Sequence, residues 1–248
     1  MNKQQVESAL LLVGWKQNAR YTSEDNAMIE DICEEILNLN NSNSLDLKAK
    51  EEYSLKIYNI VSFQFCNIQE RADMISNSYI NSEKFIPIIS ILDEAYLCFY
   101  RGYYTASLSL LFIALEKYLR QLYGWNPGNP DPTFYVLKNS VRSLPETEYA
   151  NIAYDIIEII YSRYDSLNPT AFYFNRHGLL HGVERTSEFD EMNCARLFNL
   201  FDILCCAEGV NRTAWGDNLE MFNNRYNVYE KCRKNHMESI LLSINFSL

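Results

Sequence analysis

The stretch from 82 to 125, "SEKFIPIISILDEAYLCFYRGYYTASLSLLFIALEKYLRQLYGW", places leucines at 108, 111, 115, 119 and 122. Steps of three and four residues put them on one stripe of an α-helix, a pattern that a strand of period two cannot bury on one face. A helix of this kind is stable only when other helices cover its stripe. The chain supplies few breaks, with 8 glycines and 6 prolines in 248 residues, and each costs a helix interior about 1 or 3 kcal/mol relative to alanine. An all-α fold follows as the expectation. Arg101-Gly102 divides the stretch into two helices, and prolines at 127, 130 and 132 close the second.

The same periodicity runs along the rest of the chain. Val6, Leu10 and Val13 define one apolar face; Met28, Ile32 and Ile36 define another that ends at "NLNNSNS"; a longer pattern spans about Leu47 to Tyr79. Glu30, Asp31, Glu34 and Glu35 read as a solvated helix face. A helix from near Pro145 carries Ile152, Ile156 and Ile160, and Ser187 with Asp190 reads as a capping box before Leu197, Leu200, Phe201 and Leu204. The predicted organisation is an N-terminal helical region (1–81), a helical domain (82–210) and a C-terminal helical extension (211–248) on the same body.

Charge and cysteine usage narrow the function classes. A formal net charge of −10 argues against a surface that coats nucleic acid broadly, and leaves room for a local site holding a polyanion by a few contacts. Seven scattered cysteines without a Cys-x-x-Cys pair read as small buried apolar residues rather than a disulfide framework or zinc cage. No run approaches the roughly 18 apolar residues of a membrane span, and no signal sequence is legible. A cytoplasmic protein without membrane partners is expected, and no cofactor is implied.

One segment concentrates scarce chemistry. "FNRHGLLHGVER", Phe174 to Arg185, contains two of the 3 histidines and two of the 8 glycines, with arginines at 176 and 185. Gly178 and Gly182 weaken a regular helix there, so a bend between helices is predicted. Arginine and histidine together suit phosphodiester chemistry. The guanidinium fork gives paired, charge-assisted hydrogen bonds to phosphate, and imidazole exchanges protons near neutral pH.

"RHGLLHG" resembles the motif of the HEPN-domain family: an arginine, a polar residue, then a histidine four to six intervening residues after the arginine, at Arg176, His177 and His181. The helix beginning "YRGYYTASLSLLFIALEKYLRQLYG", with Glu116 beside its apolar face, is similar to the family's second long helix. The resemblance covers roughly 82–210. It implies an all-helical bundle that dimerises to form a composite RNase site, and a metal-independent endoribonuclease of toxin–antitoxin, abortive-infection or other antiviral systems. Some relatives instead serve as non-catalytic modules that bind a partner protein or nucleotide. Carried over residue by residue, Arg176 holds the phosphate, His181 moves the proton, and His177 fills a polar position more often occupied by Asn or Asp. RNA is then the substrate, a second copy of the chain the expected partner, and an antitoxin or regulatory protein a further one.

Alternatives stand beside these assignments. Glu116 either orients Arg176 across the bundle, as the resemblance allows, or pairs with Arg120 at i,i+4 on its own helix. Asn175 is a supporting candidate; Arg163, Tyr173 and Arg185 are candidate RNA contacts. Tyr161, Tyr164, Phe172 and Phe174 either stack bases or pack in the core. His181 could cap a helix end. His177, His181 and Glu184 also have a conceivable zinc spacing, although Gly178 stands where a His-Glu-x-x-His helix has glutamate. His236, in "KCRKNHMES", reads as a surface residue.

Overall fold

The computed structural model describes residues 1–16, 22–161, 176, 187–210 and 217–245. Its α-helices are α1 (Lys3–Leu12), α2 (Ser23–Asn41), α3 (Leu47–Phe65), α4 (Ile68–Asn77), α5 (Ile89–Tyr100), α6 (Tyr104–Tyr123), α7 (Phe134–Ser140), α8 (Thr147–Tyr161), α9 (Ser187–Ala207) and α10 (Leu219–Asn245), with short 3-10 turns between some of them. Among the described residues there is no strand, and the all-α expectation holds.

Local chemistry sets the helix ends. Asn2 with Gln5 and Thr22 with Asp25 form reciprocal capping boxes at α1 and α2, satisfying N–H groups that the first turn leaves open. The single pattern anticipated from Leu47 to Tyr79 is two helices. Asn67 interrupts it, its Oδ1 accepting from the backbone N–H groups of Gln69 at 2.8 Å and Glu70 at 3.3 Å. α6 ends where Gly124 turns left-handed at φ 76 and the Trp125 N–H reaches back to the Arg120 carbonyl at 3.0 Å.

α6 is central, lying against α5, α7 and α9; α8 also packs on α9, and α10 lies across α4 and α5. Leu108, Leu111, Leu115 and Leu119 are buried as the leucine stripe requires. On α2 Ile36 is buried and Ile32 packs against the core as expected, but Ile29 and Cys33 complete the buried face, whereas Met28 is 50 % exposed. The acidic cluster Glu30, Asp31, Glu34 and Glu35 is exposed.

Two buried arginines tie the N-terminal helices to α9. Arg71 on α4 donates to Asp202 on α9 through both terminal nitrogens, at 3.0 and 2.7 Å, and the Tyr79 hydroxyl donates to the same carboxylate at 2.7 Å. Arg196 donates to Asn193 at 2.6 Å, to the Val13 carbonyl at 3.2 Å and to the Ser54 hydroxyl, while stacking over Trp15. Buried charge is tolerated here because each guanidinium meets several acceptors at once. The helices before residue 82 thus share one continuous core with α5 to α9.

Candidate functional site

The site forms where α6, α7 and α8 approach Arg176. Glu116 lies on the third turn of α6 after the leucine at 108, beside rather than within the apolar stripe, so its carboxylate emerges at the edge of the bundle. There its Oε1 meets Nη2 of Arg176 at 2.6 Å. The alternative partner is engaged elsewhere: Arg120 pairs with Asp131 at 2.6 Å and lies over the Trp125 ring. The choice left open by the sequence is therefore resolved toward the pair that spans the bundle.

An aromatic shelf supports the guanidinium. Tyr161, at the end of α8, stacks on Phe134, at the start of α7, with ring centroids 3.9 Å apart and 17° between planes. The Arg176 guanidinium carbon lies 5.6 Å from the centre of the Tyr161 ring, within cation–π range. Burial, and then the nearby Glu116 charge, push the Tyr161 phenol well above its ordinary range, so at neutral pH it remains a neutral surface for the cation. Tyr161 belongs to the packed shelf, the core alternative of the two considered for it. Phe134 was not legible as part of the site, because nothing in an aromatic at a helix start points to a partner on another helix.

The geometry defines what Arg176 can do. Its side chain is 26 % exposed and that of Glu116 37 %. Nη2 is committed to Glu116, and Nε is buried without a hydrogen-bond partner among the described residues. A guanidinium carries five N–H donors in a rigid plane, so a carboxylate on one edge fixes the plane and leaves other donors for an oxyanion. Glu116 also offsets part of the positive charge. The arrangement favours directional holding over long-range attraction.

Of the other candidates, His177, His181, Asn175, Arg163, Tyr173 and Arg185 lie outside the described residues, as do Tyr164, Phe172, Phe174 and the conceivable zinc set His177, His181 and Glu184. Among the described residues no cluster of three or more His, Cys, Asp or Glu could hold a metal ion. No helix among them is long and apolar enough to cross a membrane. His236, read as a surface residue, is partly exposed and packs against Gly102 in the wall of an open groove. Comparison with known protein families, characterised proteins and solved structures finds no match.

Proposed function

We propose that this protein is a HEPN-type endoribonuclease that cuts RNA without a metal ion, acting as a homodimeric effector in prokaryotic antiviral defence or a toxin–antitoxin system. The observation that carries the reading is the Glu116–Arg176 ion pair seated on Tyr161. It gives the motif arginine an orienting partner on the long helix that resembles the family's second, an arrangement that the resemblance allows. In this reading Arg176 holds the scissile phosphate, and His181 exchanges the proton between the 2′-hydroxyl and the departing 5′-oxygen. Attack by the 2′-oxygen then forms a 2′,3′-cyclic phosphate as the bond to the 5′-oxygen breaks. Histidine and arginine from two protomers would supply the paired acid, base and charge stabilisation that one copy offers only sparsely.

The test is purified protein incubated with total RNA in excess chelator, with mapping of new ends. New 5′-hydroxyl ends opposite cyclic or opened phosphates are expected, and they should disappear with His181→Ala. Cleavage restored only by a divalent ion would shift the assignment to the zinc alternative. Intact RNA under all conditions, with growth unaffected by expression of the parent protein, would favour the non-catalytic binding module.

A further inference from the structure

A groove of about 910 Å³ runs between the C-terminal helix α10 and the turn joining α5 to α6, lined by Arg101, Gly102, Tyr103, Lys231, His236 and Ser239, among others. None of its lining residues is acidic, which sets it apart in a chain of net charge −10. The two grooves beside it include Glu230 and Glu238 in one and Glu191 in the other. Arg101 and Lys231 are exposed, and among the described residues neither forms an ion pair. Gly102 makes the close approach possible. It sits at φ +75, and a Cβ there would lie 2.6 Å from His236 Nε2, so a larger residue would drive the imidazole out of the groove wall.

We propose that this groove binds single-stranded RNA, with Arg101, Lys231 and His236 contacting phosphates and Tyr103 stacking on a base. Concave surfaces lined by one sign of charge concentrate counter-charged ligands, and sequence-tolerant strand binding combines such cations with exposed aromatic faces. Tyr103 is 63 % exposed, so its ring is available without rearrangement. A free nucleotide needs a pocket that encloses most of its surface, whereas this groove is open along α10. Past its edge Arg233 lines the neighbouring groove, where Lys234 is paired with Glu230 at 3.3 Å. From Tyr103, α6 leads directly to Glu116, about 20 Å along the helix axis, a span that several nucleotides of one strand cover. The inference rests on the reading of the protein as an RNA-acting enzyme and deepens it by giving the strand a second hold away from the cut.

Binding, measured separately from cleavage, tests the groove. Anisotropy of a labelled oligouridylate of about twelve nucleotides should show Arg101→Glu/Lys231→Glu binding at least tenfold more weakly than the parent. Its salt dependence should be shallower by about 1.4 in log–log slope, the share of two phosphate contacts on a single strand. Tyr103→Ala should lose about fivefold or more. Lys48→Glu/Lys50→Glu, the same charge change on α3, should leave affinity within about twofold, since charges beyond a Debye length are screened. Equal loss in both double variants, no RNA binding by the folded parent, or displacement of the strand by micromolar uridine monophosphate would each overturn the proposal. Parent protein that binds through these residues and never cuts would overturn the nuclease reading alone; cleavage with binding unchanged in Arg101→Glu/Lys231→Glu would overturn the groove alone.

Discussion

The Glu116 carboxylate on α6 and the Arg176 guanidinium meet at 2.6 Å, with Tyr161 beneath the cation. Because both side chains are partly open to water, the pair contributes little to stability, about 1 kcal/mol or less, and its value lies in orientation. Glu116→Gln keeps an acceptor without the charge, and Glu116→Ala removes both. RNA cleavage should fall about tenfold in the first and further in the second, in kcat more than KM, while both melt close to the parent. Equal activity in all three proteins would mean that Glu116 does not position Arg176.

A contrasting result is expected in the interior. Arg71 and Asp202 are fully buried, so deleting one partner strands the other charge without water. Asp202→Ala should lower unfolding free energy by about 3–5 kcal/mol, measured by urea titration, and should also release the Tyr79 hydroxyl. The double change Arg71→Met/Asp202→Leu should recover much of the loss, because no charge is then left buried. A single variant as stable as the parent would show that this pair does not hold α4 to α9.

These two arginines show which contacts the sequence reveals. Helical periodicity exposed the leucine stripe of α6 and the apolar face of α8, because burial repeats with the helix itself. On α2 it found Ile36 but took Met28 where Ile29 is buried, since both are apolar and only packing decides between them. Arg71 gave no local sign of its partner on α9, for a buried ion pair depends on helix packing rather than spacing. The Glu116–Arg176 contact was anticipated only through the family resemblance; spacing alone favoured Arg120 equally. The groove at His236 escaped because its wall joins α10 to the turn after α5: the basic run Lys231, Arg233, Lys234 and His236 is visible in the sequence, but its meeting with Arg101 and Tyr103 depends on helix packing.

Alkaline stability follows from the buried acids. Burial, aided by Glu30, raises the Cys33 thiol from 9.0 to about 12. Burial raises Tyr96 from 10.0 to about 12 although Arg71 pulls it down, and pushes Tyr79, Tyr100 and Tyr118 well above their ordinary range. Above pH 9 to 10 the unfolded chain gives up these protons while the folded chain keeps them. Stability is therefore fully present below that range and declines as pH rises toward 12, by up to about 1.4 kcal/mol per pH unit for each group. Urea midpoints should drop steeply over this window, and much of the tyrosinate absorbance should appear together with loss of helical circular dichroism. Complete ionisation of the tyrosines ahead of unfolding would contradict the buried assignment.

The division of labour between Arg176 and His181 gives the sharpest test of the proposed chemistry. Removing His181 should stop proton transfer and leave the phosphate contact, so His181→Ala should cut about 10²–10⁴-fold more slowly with little change in RNA affinity. Arg176→Lys keeps a positive charge near Glu116 but loses the planar fork that can grip Glu116 on one edge and an oxyanion on another, and it should fail nearly as badly. Mixing the two inactive proteins provides the assembly test. If two protomers contribute to one site, dimers combining Arg176→Lys with His181→Ala can restore complementary groups, and activity should rise in the mixture above either protein alone. Light scattering must show dimers in every sample, with melting close to the parent. A stable monomer that cuts at undiminished rate on dilution would exclude the composite site, and full activity in either single variant would remove that residue from the mechanism.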